Sequence, residues 1–143
     1  MRKRNGVILA VIGGILFFFS IEGWAADWKF IVKDVQGNVL EIDAASISRQ
    51  PDNIVRLWVK ITNSKERITD WIKKSGEEYK DFSTQMSLEE YHCTEKKRRV
   101  LSMTFYSSDG GIILSSNSIR EWRFIIPDSI GDAVFEEVCK QPK

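Results

Sequence analysis

Between residues 54 and 61 hydrophobic and polar side chains alternate. Val55, Leu57, Val59 and Ile61 take one set of positions; Arg56, Trp58 and Lys60 take the other. A period of two predicts a strand with one buried and one partly solvated face. Trp28–Lys33 reads the same way, with Trp28, Phe30 and Val32 on one face, and so does Val39-Leu40-Glu41-Ile42. Gly37-Asn38 between these two segments predicts a hairpin turn. Asp43–Ile47 and Gln50–Asn53, the latter with Pro51 inside, break the alternation and predict short turns. Ser83–Cys93 and Arg98–Tyr106 predict two further strands, the second with Leu101, Met103 and Phe105 on one face. Ser107-Ser108-Asp109-Gly110-Gly111 is a turn, Ile112-Ile113-Leu114 returns as a strand, and Ser115–Ser118 turns again. Trp122, Phe124 and Ile126 alternate in a last strand, closed by Pro127.

Two segments change period. Ile68, Trp71 and Ile72 are spaced i, i+3, i+4, Asn63-Ser64-Lys65-Glu66 carries an N-cap signal, and Gly76 is placed to end the helix. Lys65–Asp81 holds five basic and five acidic residues, which predicts a short amphipathic helix inserted between strands. It is expected to pack on the sheet edge; the alternative is a partner-binding helix. Asp128-Ser129 caps a second helix running to about Cys139, with Ile130, Val134, Phe135 and Val138 as its apolar stripe. Strands without intervening long helices favour antiparallel pairing. The expected class is α+β: an antiparallel sheet of about six strands, a C-terminal helix packed on one face, and a short insert helix.

The first residues read as an address. Arg2, Lys3 and Arg4 precede fifteen uncharged residues, Val7 to Ile21, and Gly23-Trp24-Ala25 offers small residues where a signal peptidase cuts. As a helix that apolar run spans only about 22 Å at 1.5 Å per residue, short of the ~30 Å hydrocarbon core. A cleaved signal peptide over residues 1–25, followed by one domain over 26–143, is the expected organisation; a retained anchor is the competing reading. No Cys lies near the cleavage site, which argues against lipid anchoring.

The 143-residue chain carries a net charge of +1. Removing residues 1–25 takes away Arg2, Lys3, Arg4 and Glu22, leaving 18 cationic against 19 anionic side chains. That balance argues against a nucleic-acid-binding domain dominated by basic charge. Lys96-Lys97-Arg98-Arg99 is a local basic run. It is either a polyanion or partner contact or a solvated hairpin end. Trp58, on the mostly polar side of its strand, is a candidate partner contact or packs under a loop. Trp71 is a candidate anchor on the insert helix.

One His and two Cys cannot build a site from several His or Cys ligands, so no metal and no cofactor is expected. In an exported chain the even pair Cys93 and Cys139 reads as a disulfide; two free thiols, or one redox-active Cys, is the rival reading. Any imidazole chemistry must use His92, whose neighbour Cys93 would face the other way on a strand. Glu89 and Glu90 likewise face apart, although carboxylates distant in sequence can meet in a fold. Asp109-Gly110-Gly111 lacks the Gly-x-x-x-x-Gly-Lys pattern of a phosphate loop. Nothing here points to an enzyme.

Four local features occur in order along the chain: Trp28-Lys29-Phe30-Ile31; Ile42-Asp43 before Ser46-Ile47 and the strand containing Val59; Cys93 before a strand ending in Tyr106-Ser107-Ser108-Asp109-Gly110; and Ile126-Pro127-Asp128-Ser129 leading to Cys139. Together they resemble the surface-adhesin protein E family across nearly the whole mature chain. The resemblance implies an antiparallel sheet with a C-terminal helix tied to it by a disulfide, and it admits a homodimer formed through the sheet. It also implies adhesin-like binding of host extracellular proteins at a bacterial outer membrane. Members are commonly lipid-anchored, whereas this chain has no lipobox cysteine. The expected function is an exported, non-catalytic binding or adhesion module whose partner is a host or envelope protein. The alternative is a periplasmic structural or assembly protein acting as a homodimer.

Overall fold

The structure, a computed structural model, describes residues 25–140. All but the last residue of the expected signal peptide lies outside the described residues. In chain order the elements are β1 (Trp28–Lys33), β2 (Val39–Asp43), β3 (Ser48–Gln50), β4 (Ile54–Thr62), α1 (Lys65–Ser75), β5 (Phe82–His92), β6 (Lys97–Ser107), β7 (Ile112–Ser116), β8 (Arg123–Phe124) and α2 (Ile130–Cys139). The strands form one antiparallel sheet in the order β1-β2-β4-β5-β6-β7, with β3 also on β4 and β8 also on β6. The sheet therefore follows chain order apart from these two short additions, as hairpin-joined strands allow.

The long β4 organises the faces. Val55, Leu57 and Val59 are buried, and they share a face with Leu40 and Ile42 of β2 and Tyr91 of β5. Val134, Phe135 and Val138 of α2 close over this face to complete the core. Removing each aliphatic side chain from water contributes roughly 2 kcal/mol. The Ser129 hydroxyl caps α2 by accepting from the Asp132 amide at 3.2 Å. Gly131 lets the helix approach β6: a Cβ there would lie 3.0 Å from Arg98 Nε.

The insert helix α1 covers the far end of the same face rather than a sheet edge. Its Trp71 ring lies 5.6 Å from that of Phe82 and 5.4 Å from that of Phe105, both edge-on, with Tyr79 completing the cluster at 5.3 Å. Its cap is Ser64, whose hydroxyl accepts from the Arg67 amide, so no reciprocal glutamate contact forms. Gly76, at φ +114°, ends the helix in a conformation costly for other residues.

Several sequence expectations are corrected by register. A bulge between Phe30 and Val32 puts Val32 opposite Leu40 on the covered face, while Trp28 and Phe30 stay on the other. A second irregularity, between Leu88 and Glu89, leaves Leu101 as the unpaired residue; Val100, not Leu101, joins Met103 and Phe105 on the covered face. A one-residue shift reverses every side chain beyond it. In the last strand the expected face is inverted. Ile125 is buried, whereas Phe124 and Ile126 are 74% and 71% exposed. The Ile125 amide donates to the Lys96 carbonyl at 3.1 Å, which turns its side chain towards α2. The short β3 lies between the two expected turns and takes in Gln50, the first residue of the second.

Candidate protein-binding face

With α1 and α2 on one side, the other side of the sheet is left for solvent. Cross-strand pairing of Glu41 with Lys60, Trp58 with Leu88, Arg56 with Glu90 and Glu90 with Arg99 carries one face across β2, β4, β5 and β6. Trp28 and Phe30 of β1 extend it at one end. Lys97 and its partner Phe124 extend it at the other.

Glu90 is the fixed point of this face. It is only 2% exposed, although it lies on the side without helices. Its Oε1 accepts from Arg56 Nη2 at 2.7 Å and Nε at 3.0 Å, and its Oε2 accepts from Arg99 Nε at 2.7 Å. Burial pushes the carboxyl pKa up. Hydrogen bonds from Arg56 and Arg99, together with their charges, outweigh that and hold it below the usual glutamate range. Trp122 lies against the cluster, its ring 4.5 Å from the Arg99 guanidinium carbon and edge-on to His92 at 5.8 Å.

Cations lie over aromatic rings elsewhere on the same side. Lys60 Nζ is 4.3 Å from the Trp28 ring, and Lys97 Nζ is 4.9 Å from the Phe124 ring. Such contacts contribute of order 0.5–1 kcal/mol each at exposed sites. They also hold flat apolar rings at the surface in fixed positions. Trp58 sits between them, half-buried, its amide donating to the Ser46 hydroxyl at 2.9 Å.

The basic run does not form one patch. Lys96, in the turn at φ +51°, pairs with Asp132; Lys97 pairs with Glu95; Arg98 pairs with Glu89 on the covered face; Arg99 pairs with Glu90 on the open one. Each of the four positive charges thus has a carboxylate partner, and strand alternation divides them between two sides. Trp71 is half-buried, its ring in the aromatic cluster against Phe82 and Phe105 of the sheet. Sequence reasoning placed Glu90, Arg56, Trp28, Trp122 and Phe124 on strands but did not single them out as contact residues. Alternation already grouped Arg56, Trp58 and Lys60, but the cross-strand partners required the register.

The two cysteines are joined: Cys93 and Cys139 form a disulfide with Cα atoms 5.4 Å apart. Glu89 and Glu90 point to opposite faces. Glu89 is held by Ser87 at 2.8 Å, Tyr91 at 2.7 Å and Arg98 at 3.0 Å. Burial, then the charge of Glu89, pushes the Tyr91 phenol well above its ordinary value, with Arg98 opposing. Among the described residues no group of three or more His, Cys, Asp or Glu could hold a metal ion, and no helix is long and apolar enough to cross a membrane.

Comparison with known proteins agrees with this architecture. Protein E of Haemophilus influenzae, in its crystal form II, superposes with a TM-score of 0.53 at 16% identity, covering 78% of this chain and 86% of that one. Its selenomethionine form gives 0.52 at 15% identity, covering 78% and 84%. At such identity the likeness concerns the fold alone. No individual curated protein matches the sequence with significance. The model of the surface-adhesin protein E family matches residues 28–140, most of the chain, and the chain belongs to that family.

Proposed function

We propose that this chain is an exported, non-catalytic binding module that engages a host or envelope protein through its uncovered sheet face. The single observation carrying the reading is the division of the sheet. One side is taken by α1 and α2, and the other presents Trp28, Trp58, Trp122 and Phe124 interleaved with lysine and arginine. Aromatic residues and arginine dominate the energetics of protein interfaces. The cations of this face are paired with Glu41, Glu90 and Glu95, so it carries little net charge. Contact by aromatic surface therefore fits better than capture of a polyanion. Family membership supports an adhesin-like role. Cleavage near Ala25 delivers the chain, as one domain over residues 26–143, to the periplasm or the cell surface.

A second reading, a homodimer with a structural or assembly role in the periplasm, is favoured by the sheet edges. Among the described residues β1 and β7 each pair on one side only, and both carry exposed apolar residues, Phe30 and Ile112. An unpaired edge is a template for a second chain. Protease treatment of intact cells separates the readings, with a known periplasmic protein as control. Digestion with the control spared places the chain at the surface and supports adhesion. Protection until the outer membrane is opened, together with a dimer in light scattering, supports the alternative.

A further inference from the structure

The covered face is not filled from end to end. Between α1 and α2 a cleft of about 350 Å³ opens over β4, β5 and β6, within the range in which proteins hold small molecules. Half-buried Ile61, Val100, Met103 and Ile130 supply aliphatic walls, and Leu40 and Val59 belong to its floor. Two polar side chains of the cleft lack partners. Among the described residues, Gln85 makes no side-chain hydrogen bond, and the Arg67 guanidinium makes neither a hydrogen bond nor an ion pair; its Nε is buried and unsatisfied. Asp34 acts on Arg67 only through its charge, since its oxygens are taken by Asn38 and by the Gln36 amide. That Nε is closed off by protein, so an occupant of the cleft meets the rest of the half-buried Arg67 side chain.

The other charged groups of the cleft are already committed. Arg98 is neutralised by Glu89, and Tyr91 donates to that same carboxylate. Arg67 is thus the open charge, and it is positive. A smaller recess of about 180 Å³ shares Arg98, Val100 and Met103 with the cleft and is also lined by Arg99, Arg120, Glu121 and Arg123; Arg120 and Arg123 are exposed and without ion pairs among the described residues, so cations outnumber the one carboxylate there. Positive charge at an apolar opening raises the local concentration of anions.

The geometry points to a binding site for a small aliphatic monocarboxylate, its carboxylate on Arg67 and Gln85 and its chain along Ile61, Val100, Met103 and Ile130. A neutral molecule of the same length would leave the guanidinium unpaired. The site is independent of the open face, which lies on the other side of the sheet.

Isothermal titration of the exported protein with octanoate, and separately with octanol, tests this. Octanoate should bind with a Kd below about 1 mM, and octanol at least about tenfold more weakly. Arg67→Gln should lose at least about tenfold for octanoate and leave octanol unchanged, a difference of about 1.4 kcal/mol in the charged contact alone. Gln85→Leu should weaken octanoate several-fold and serves if Arg67→Gln does not melt cooperatively. Equal affinity for the two probes, no octanoate binding, or full affinity in the folded variants would overturn the assignment.

Discussion

Cys93, immediately after β5, is bonded to Cys139, the last residue of α2, across 46 positions of sequence. The bond fixes the end of the helix to the hairpin of β5 and β6, which also contributes Lys96 to the Asp132 ion pair. Closing a loop of that length is worth about 4 kcal/mol in the chain-entropy model. The double variant Cys93→Ala with Cys139→Ala should lose on the order of 2–4 kcal/mol in urea denaturation. Alkylation of the denatured, unreduced protein should modify neither cysteine. Loss of less than about 0.5 kcal/mol would show that α2 holds its place by packing alone.

Phe124 and Ile125 are neighbours with opposite fates. Ile125→Ala removes a side chain from the core and should cost about 2–4 kcal/mol. Phe124→Ala, at a 74% exposed position, should change stability by about 0.5 kcal/mol or less. Equilibrium unfolding of the two variants checks the orientation of β8; a reversed order would mean that the strand faces the other way.

Glu90 links stability to pH. Its pKa in the folded chain lies below the ordinary value, because Arg56 and Arg99 outweigh burial. Its contribution is therefore fully present above the unfolded value of about 4.3 and is lost as pH falls through the lower folded value. Glu90→Gln should flatten the fall in melting temperature below pH ~4.3 relative to the parent. Because both arginines are partly exposed, the loss at neutral pH should be about 1–3 kcal/mol rather than the larger cost of a fully buried pair. A parallel pH profile in the variant would remove Glu90 from this role.

The two candidate tryptophans should separate in stability. Trp71→Ala opens the cluster with Tyr79, Phe82 and Phe105 and should cost about 2–4 kcal/mol. Trp58→Ala, on the open face, should cost less, about 1–2 kcal/mol, because its side chain lacks a covering helix. Thermal or chemical unfolding of both, side by side, decides the order.

Much of the fold was legible because the long elements have clean periods. The alternation of Val55, Leu57 and Val59 marked the buried side of β4, and Val134, Phe135 and Val138 marked the stripe of α2. Ser129 and Gly76 announced a helix start and a helix end through their local chemistry. The misreadings share a cause: alternation assumes an unbroken register. The bulges beside Phe30 and Leu88 shift the count by one and move Val32 and Val100 onto the covered face. At β8 only two residues pair, so packing of Ile125 near α2 decides orientation more than local pattern. The buried charge at Glu90 was illegible for a related reason: its arginines come from two different strands. For Lys96–Arg99 the sequence left a contact and a solvated hairpin end both open, because it does not show the carboxylates that arrive from β5 and α2.

Partner binding is assigned to the open face, with Trp58 at its middle. Binding of the protein of residues 26–143 to an immobilised extracellular-matrix extract, measured by surface plasmon resonance beside Trp58→Ala and Trp122→Ala, tests this directly. The parent should bind saturably and both variants at least about tenfold more weakly, with Arg67→Gln, on the covered side, unchanged. Undiminished binding by the two tryptophan variants, or no binding by the parent, would contradict it.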